Sequence, residues 1–170
     1  ADVFINDVRT NSEEDFNNLF SGTIESGAGD AGDFVMISCG INTDGFNLFS
    51  PPAPGDWMSI GDGLCTNGAC QQQVSGRFIG AVSSEEITCA WTNPASALVA
   101  ASIRYRQVDP DNPVIDAGCS ETVGENVIIP AISSEPGAQV VFLQLVTLNT
   151  TQIDPPEDFL FFNDTDAAYG

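Results

Sequence analysis

Four oxygen-bearing side chains fall in one short segment whose composition suits a hard cation. In chain order they are Asp109, Asp111, Asn112 and Asp116. Calcium binds about six to eight oxygen ligands, and carboxylates and amides supply them in proteins. The spacing does not match an EF-hand loop, and Asp-Pro-Asp-Asn is equally typical of a tight turn. The segment therefore predicts either a plain turn or a calcium site, and no other cofactor is indicated.

The residue types that are absent from the chain exclude several classes of catalytic mechanism. The chain contains no histidine and no lysine, and its four basic residues are all arginine. Histidine-based triads and most metal hydrolases are therefore excluded, as are Schiff-base and P-loop mechanisms. Adjacent glutamates at 13–14 and 85–86 could serve a glycosidase, whose two carboxyls lie about 5 to 10 Å apart. Among 24 acidic residues such pairs arise by chance, so we predict that the protein is not an enzyme.

The charge of the chain excludes two classes of partner. Twenty-four acidic residues against four basic ones give a formal net charge of −20. Nucleic acids and anionic membranes both require a basic surface, so neither is an expected partner. No apolar run reaches the roughly 20 residues that span a bilayer, and no targeting peptide is expected at the first residues. We predict no membrane insertion.

Five cysteines indicate an oxidising compartment, because they are many for a cytosolic chain of this size. Cys65 and Cys70 flank a turn-like insert and are candidates for a local disulfide. Cys39 and Cys89 each lie in a predicted strand, where they could pair or simply be buried. Cys119 is the odd residue unless cysteines pair between subunits. An extracellular protein is therefore predicted, either secreted, on the cell surface or on a virion exterior.

Two glycosylation acceptor patterns occur near the end of the chain. Asn149 and Asn163 are each followed two residues later by threonine. Such matches arise by chance in a chain rich in asparagine and threonine. They predict glycosylation only in a host that carries it out.

The hydrophobic pattern predicts an all-β fold. Short apolar or alternating segments recur between turns rich in glycine, proline and asparagine, which is typical of a β-sandwich or jelly roll with about nine to ten short strands. Residues 1–170 fit one such domain. At most one short helix is expected, near residues 13–20, because Ser12 resembles a helix cap and Phe16, Leu19 and Phe20 have helical spacing.

The segment 97–106 is predicted to be a central strand with two different faces. Ile103 and Tyr105 share one face, whereas Arg104 and Arg106 share the other and are expected to form salt bridges. Tyr105 and the two tryptophans, Trp57 and Trp91, could stack on sugars if they were exposed. Their alternating contexts favour the core instead.

Several packing and turn residues resemble a known family. They are Gly32-Asp33, Pro51-Pro52, Gly55-Asp56-Trp57, Trp91, Ala100-Ala101, Tyr105-Arg106, Val108-Asp109-Pro110 and Asn112-Pro113-Val114. Over about residues 33–161 the chain resembles β-sandwich modules of phage virion proteins and bacterial secreted surface proteins. The resemblance implies a non-enzymatic structural or adhesive role. The chain departs from the family in its cysteine content and in ending soon after Phe162.

These observations predict a structural subunit that assembles with copies of itself outside the cell, as a filament, a pilus-like fibre or a virion surface. Residues 1–10 could be a strand that is donated to a neighbouring copy, because an open sheet edge accepts another strand. The residues expected in that contact are Asp2, Val3, Phe4, Ile5 and Val8. The alternatives are a secreted carbohydrate-binding module, with glycans as partners, and an acid-only hydrolase.

Overall fold

The computed structural model describes residues 3–43, 45–61, 65–67, 70–120, 131–141 and 143, without the side chains at 16, 17 and 65–67. Six strands form in these residues: β1 (Phe4–Glu25), β2 (Asp33–Asn42), β3 (Met58–Ser59), β4 (Cys65–Asn67), β5 (Cys70–Ile79) and β6 (Glu86–Arg106). None of the described residues forms a helix, so no helix able to cross a membrane occurs among them. The all-β prediction is confirmed.

The strands form one antiparallel sheet in the order β1-β6-β2-β5-β3, with β4 also paired to β5. Two strands are far longer than the short ones expected, since β1 has 22 residues and β6 has 21. The described residues thus form one continuous sheet, and the two packed sheets of a sandwich or jelly roll stay a prediction. Residues 121–130 and 144–170 lie outside the described residues, so the count of nine to ten short strands stays a prediction.

The short helix predicted near residues 13–20 is wrong, because β1 runs through this region. Leu19 lies opposite Ala95 of β6 and packs against the core, whereas its neighbour Phe20 is 52% exposed. A two-turn helix is marginal by itself. Pairing of Glu13, Glu14 and Leu19 with β6 overrides the local capping pattern.

The antiparallel pair of strands β1 and β6 folds back over the sheet. Cys39 of β2 lies opposite Ala100 of β6, and Cys89 precedes Ala100 by 11 positions in that same strand. A straight strand would separate those positions by about 36 Å. The Cα atoms of Cys39 and Cys89 are only 6.4 Å apart, so β6 must turn back between them. Register shifts in β1 between Glu14 and Ser21 mark the bend. We call the part that turns back, Ser21–Glu25 paired with Glu86–Ala90, the folded-back ribbon.

The main hydrophobic cluster joins the folded-back ribbon to one face of the sheet. Alternate residues of β2 supply the sheet side, and both strands of the ribbon supply the cover. The buried members are Ile24, Val35, Ile37, Cys39, Ile41, Ile79, Ile87, Cys89, Trp91, Ala95, Leu98 and Ala100. A second cluster covers the opposite face of the sheet and is centred on Phe34, Ile103 and Tyr105. The two faces predicted for segment 97–106 are therefore confirmed.

A disulfide between Cys39 and Cys89 crosses the main cluster, which confirms one of the predicted pairs. Cys119 is disulfide-bonded as well. Cys70 is buried on β5, and the side chain of Cys65 lies outside the described residues. Cys70 is not disulfide-bonded, so the predicted Cys65–Cys70 disulfide is wrong.

Arg104 is a fully buried cation that joins three parts of the chain. Its Nε donates to Asp33 Oδ2 at 2.9 Å, which confirms the predicted salt bridge within the chain. Its Nη1 donates to the carbonyl of Gly27 at 2.8 Å, and its Nη2 donates to the carbonyls of Asp30 and Ala81 at 2.8 and 2.7 Å. A buried charge is tolerated when it is paired and hydrogen-bonded in this way. Strand β6 is thereby tied to the β1–β2 and β5–β6 loops.

The carboxylate of Asp33 completes this buried ion pair. Burial by itself would raise the pKa of Asp33, but hydrogen bonds from Arg104, the backbone of Asp30 and the amide of Asn6 outweigh it and lower the pKa below its usual value. Gly29 lies so close that a Cβ atom there would collide with Asn6, Asp33 and Arg104. The close approach accounts for glycine at that position.

Removing the Cys39–Cys89 disulfide should destabilise the fold strongly. The bond closes a loop with a sequence separation of 50, and constraining the unfolded chain over that length stabilises the protein by about 4 kcal/mol. We expect Cys39→Ala/Cys89→Ala to lower the free energy of unfolding by about that amount in urea titrations. A loss below about 1 kcal/mol would contradict the assignment of the bond as the tie between ribbon and sheet.

The stability that Asp33 supplies should depend on pH. Because its pKa is lower in the folded state than the usual 3.8, the contribution is present above 3.8 and is lost as the pH falls through the folded-state pKa. At pH 7, Asp33→Asn should lower the free energy of unfolding by about 3 kcal/mol, since it leaves the Arg104 charge buried and unpaired.

Paired urea titrations of the native chain and Asp33→Asn between pH 7 and 2 would measure this difference. It should shrink as the pH falls from about 3.8, where the unfolded carboxyl becomes protonated, towards the lower pKa of the folded-state carboxyl. The control is Asp109→Asn, an exposed aspartate, which should change stability little at any pH. An unfolding difference for Asp33→Asn that stays constant over the whole range would refute the ion-pair account.

Candidate assembly edge

The first half of β1, Phe4–Glu14, lies at one edge of the sheet formed by the described strands. It pairs with β6 on one side, from Phe4 opposite Arg106 to Glu14 opposite Ala97. No described strand pairs with its other side. The edge extends over 11 residues, or about 36 Å. A strand side that lies at the edge of a sheet is a template for another strand. We call Phe4–Glu14 the free edge.

One described segment touches the chain just before the free edge. The amide of Val3 donates to the carbonyl of Gly137 at 3.4 Å, and Gln139 Nε2 donates to the carbonyl of Val3 at 2.9 Å. These contacts stop at Val3. Within the described part of the chain, the backbone from Phe4 onward faces outward beyond them.

The residues predicted to mediate assembly lie at the start of this strand. Val3, Ile5 and Val8 pack against the second core cluster, and Phe4 is 43% exposed. Asp2 lies outside the described residues. In this structure the segment is not exchanged, because its apolar side chains complete the sheet of its own chain. The part of this segment that a neighbouring copy could contact is the outer side of its backbone.

The corresponding edge of the folded-back ribbon is blocked by side chains. Thr23 donates its amide to Glu13 Oε1 at 3.1 Å, and its carbonyl accepts from Asn11 Nδ2 at 2.7 Å. Just beyond the ribbon, the amide of Ala28 donates to Asp7 Oδ2 at 3.2 Å. Another chain could not use these groups without displacing the side chains that occupy them.

The other side of the sheet ends in two very short strands. β3 pairs with the middle of β5 through two residues, and β4 pairs with its beginning through three. Short edge strands are a common way to limit edge-to-edge association. Among the described edges, the free edge of β1 is therefore the long one without a cover.

The basic residues of this acidic protein are concentrated near the free edge. Arg9 lies on it, with 51% of its side chain exposed, and its Nη2 is 2.8 Å from Asp7 Oδ2. Arg106 lies opposite Phe4, with its Cζ 5.4 Å from the centre of the phenyl ring. The other two arginines are engaged elsewhere, Arg104 with Asp33 and Arg77 with Glu85. Arg9 and Arg106 thus place two positive charges beside Asp7, Glu13 and Glu14 of the free edge, so the charge there is mixed.

The predicted calcium loop is exposed, and two of its carboxylates hold turns. Asp109 Oδ1 accepts from the amide of Asp111 at 2.9 Å. Asp116 accepts from the amides of Ser133 and Ala117, and these hydrogen bonds lower its pKa. No three His, Cys, Asp or Glu side chains converge as metal ligands in the described part of the chain. The contacts match the turn interpretation, and Asn112 lies exposed in the same loop.

The aromatic residues considered for sugar stacking are mostly internal. Trp91 is 5% exposed and donates its indole N–H to the carbonyl of Leu19 at 2.8 Å. Tyr105 is 5% exposed, and burial raises the pKa of its phenol. Trp57 is half-buried, with the Arg77 guanidinium 4.9 Å above its ring. The core placement is confirmed for Trp91 and Tyr105, which leaves only Trp57 accessible among the three.

A groove of about 340 Å³ lies between the two halves of β1. Its lining residues are Arg9, Thr10, Asn11, Thr23, Ile24 and Glu25. Glu25 is the one carboxylate among them, whereas glycoside hydrolysis requires two. Of the adjacent pairs considered for an acid-only hydrolase, Glu13 is bonded to Thr23 and Glu85 is paired with Arg77. The groove therefore does not bring together the residues that a glycosidase requires.

Sequence reasoning missed the polar side chains that protect the ribbon. Asp7, Arg9, Asn11 and Glu13 alternate along β1 on the face towards Thr23 and Ala28. A period of two was the available signal, but the helical spacing of Phe16, Leu19 and Phe20 obscured it. The glycosylation candidates Asn149 and Asn163 lie outside the described residues.

The chain was compared with known protein families, curated proteins and solved structures. None of the three comparisons found a match.

Proposed function

We propose that the protein is a non-enzymatic structural subunit of an extracellular homopolymer, a filament, a pilus-like fibre or a virion surface, held by β-strand contacts. The observation that carries the proposal is the free edge, an 11-residue strand side with no described partner. Main-chain hydrogen bonds to an added strand would supply affinity there. The other described edges are short or blocked by side chains, so strand pairing is favoured at the free edge.

Electrostatics favour the same place. Two copies with a net charge of −20 repel each other, except where opposite charges can be brought together. Arg9 and Asp7 alternate on the free edge, so two antiparallel copies can place Arg9 of one beside an acid of the other. Self-association at this edge thus relieves part of the repulsion.

The compartment and the finer architecture belong to the same proposal. A disulfide in the main core supports an extracellular location, because such bonds persist in oxidising environments. The hydrophobic cluster between the folded-back ribbon and the sheet supports the view that the ribbon is the second layer of a β-sandwich. Structural modules of this kind need no catalytic residues, consistent with the composition of the chain.

Size-exclusion chromatography and negative-stain microscopy of the native chain test the proposal directly. We expect multimers or fibres, and Arg9→Glu should abolish contacts through the free edge by placing like charges there. The isolated chain should keep its stability within about 1 kcal/mol, since an exposed ion pair contributes little.

The matched control is Ser59→Asp/Ser83→Asp, which gives the same net charge on exposed positions away from the free edge. This variant should assemble like the native chain. A native chain that remains monomeric at all concentrations would overturn the proposal, as would equal assembly of Arg9→Glu and the native chain. Binding to glycan arrays by that monomer would favour the carbohydrate-binding alternative.

A further inference from the structure

Cys119 lies in the segment that follows β6, and it takes part in a disulfide bond. Cys39 and Cys89 are bonded to each other, so neither of them is its partner. Cys70 is not disulfide-bonded. Of the five cysteines in the sequence, Cys65 is the one that remains. The other cysteines thus leave a single partner for Cys119 within the chain.

The segment after β6 runs beside the loop that precedes β4. Val114 and Ile60 both pack against the second core cluster. Gly61, the residue after Ile60, lies against Ala117, because a Cβ atom on Gly61 would be 3.4 Å from the Cβ atom of Ala117. These contacts place the chain that leads to Cys119 next to the chain that leads into β4.

The chain beyond this contact is long enough to bring the two cysteines together. Cys119 is two residues beyond Ala117, and Cys65, the first residue of β4, is four residues beyond Gly61. A chain spans at most about 3.5 Å per residue, so these stretches reach about 7 and 14 Å from the contact. The Cα atoms of a disulfide lie about 4.4 to 6.8 Å apart, which is within that reach. Among the described strands β4 pairs with β5 on one side, so its other side is accessible to the neighbouring segment.

We propose that Cys119 is bonded to Cys65 and that this disulfide fastens the segment after β6 to the edge strand β4. Two thiols form the bond by losing two protons and two electrons to a disulfide donor, which is reduced to a dithiol. The bond holds the side of the sheet that lies away from the free edge. The proposal concerns one chain and is therefore independent of the proposed assembly.

The two disulfides differ in their access to a reductant. Cys39 and Cys89 are each 0% exposed within the main cluster, whereas Cys119 is exposed. Thiol–disulfide exchange requires a thiolate to reach one of the two sulfur atoms. A small dithiol therefore opens the Cys65–Cys119 bond of the folded protein first, through a mixed disulfide. It transfers two electrons, leaves two cysteine thiols and becomes a cyclic disulfide itself. Opening the bond releases the segment after β6 from β4 while the core disulfide stays closed.

Fragmentation of the native chain without reductant tests the connectivity. Thiols are first blocked with N-ethylmaleimide in urea. Cyanogen bromide then cleaves after Met36 and Met58, hydroxylamine cleaves between Asn67 and Gly68, and trypsin cleaves after the arginines. These cuts place each cysteine in a fragment of its own, namely 37–58, 59–67, 68–77, 78–104 and 107–170.

Mass spectrometry of the fragments should find 107–170 joined to 59–67, and 37–58 joined to 78–104. Fragment 68–77 should carry the blocked thiol of Cys70. The proposal is overturned if 107–170 is joined to 68–77, joined to a second copy of itself, or recovered with a blocked thiol.

Limited reduction of the folded chain tests the difference in access. Dithiothreitol in the absence of denaturant, followed by N-ethylmaleimide, should label Cys65 and Cys119 and leave 37–58 joined to 78–104. In urea, the same treatment should open both bonds and label all five cysteines. Opening of both bonds at the same rate in the folded chain would contradict the difference in access.

The matched variant is Cys70→Ser, which removes the cysteine outside both bonds. Unfolded in urea without reductant, the native chain should bind one equivalent of N-ethylmaleimide and Cys70→Ser should bind none. An equivalent bound by Cys70→Ser would show that Cys65 or Cys119 carries a thiol, and it would overturn the proposed bond.

Discussion

The rest of the structure depends on one constraint: the paired strands β1 and β6 fold back onto their own sheet. It brings Cys89 within 6.4 Å of Cys39, measured between Cα atoms, and it buries Ile24 and Ile87 against β2. Without the turn in β6, one face of the sheet would be exposed over the whole length of β2. The disulfide and the apolar cluster stabilise the same contact, one by restricting the unfolded chain and the other by removing apolar surface from water.

The fold-back also divides the surface into protected and available parts. It places the backbone of Thr23 above Asn11 and Glu13, whose side chains occupy its hydrogen-bonding groups. Among the described strands, the first half of β1 is left at the edge of the sheet, and Phe20 is exposed at the bend. One conformational feature therefore accounts for the edge that we propose as a contact surface. The polar residues of β1 have a structural role, because they block one edge while leaving the other open.

Buried polar groups hold the loops at the two ends of the sheet in place. The Arg104 guanidinium is bonded to Asp33 and to three carbonyls from the two loops nearest the end of β6. At the opposite end, Asn47 is bonded to Thr43, Gln71 and Asn93. Each network is satisfied at its centre, so removing one partner would leave a buried group unpaired. The two ends of the fold are thereby rigid without a helix among the described residues.

The sequence by itself determined the fold class, the core placement of Trp91 and Tyr105, and the two faces of segment 97–106. These properties follow from the period of two in a strand, which is local and visible in the order of residues. The tertiary structure alone decided that 13–20 is strand, that Arg104 is buried, and that Cys39 pairs with Cys89. Each of these depends on partners 50 to 85 positions away, and the proximity of Cys39 and Cys89 arises only because β6 bends. Backbone pairing over that distance outweighs a short helical pattern, because a two-turn helix leaves most of its own hydrogen-bonding groups open at its ends.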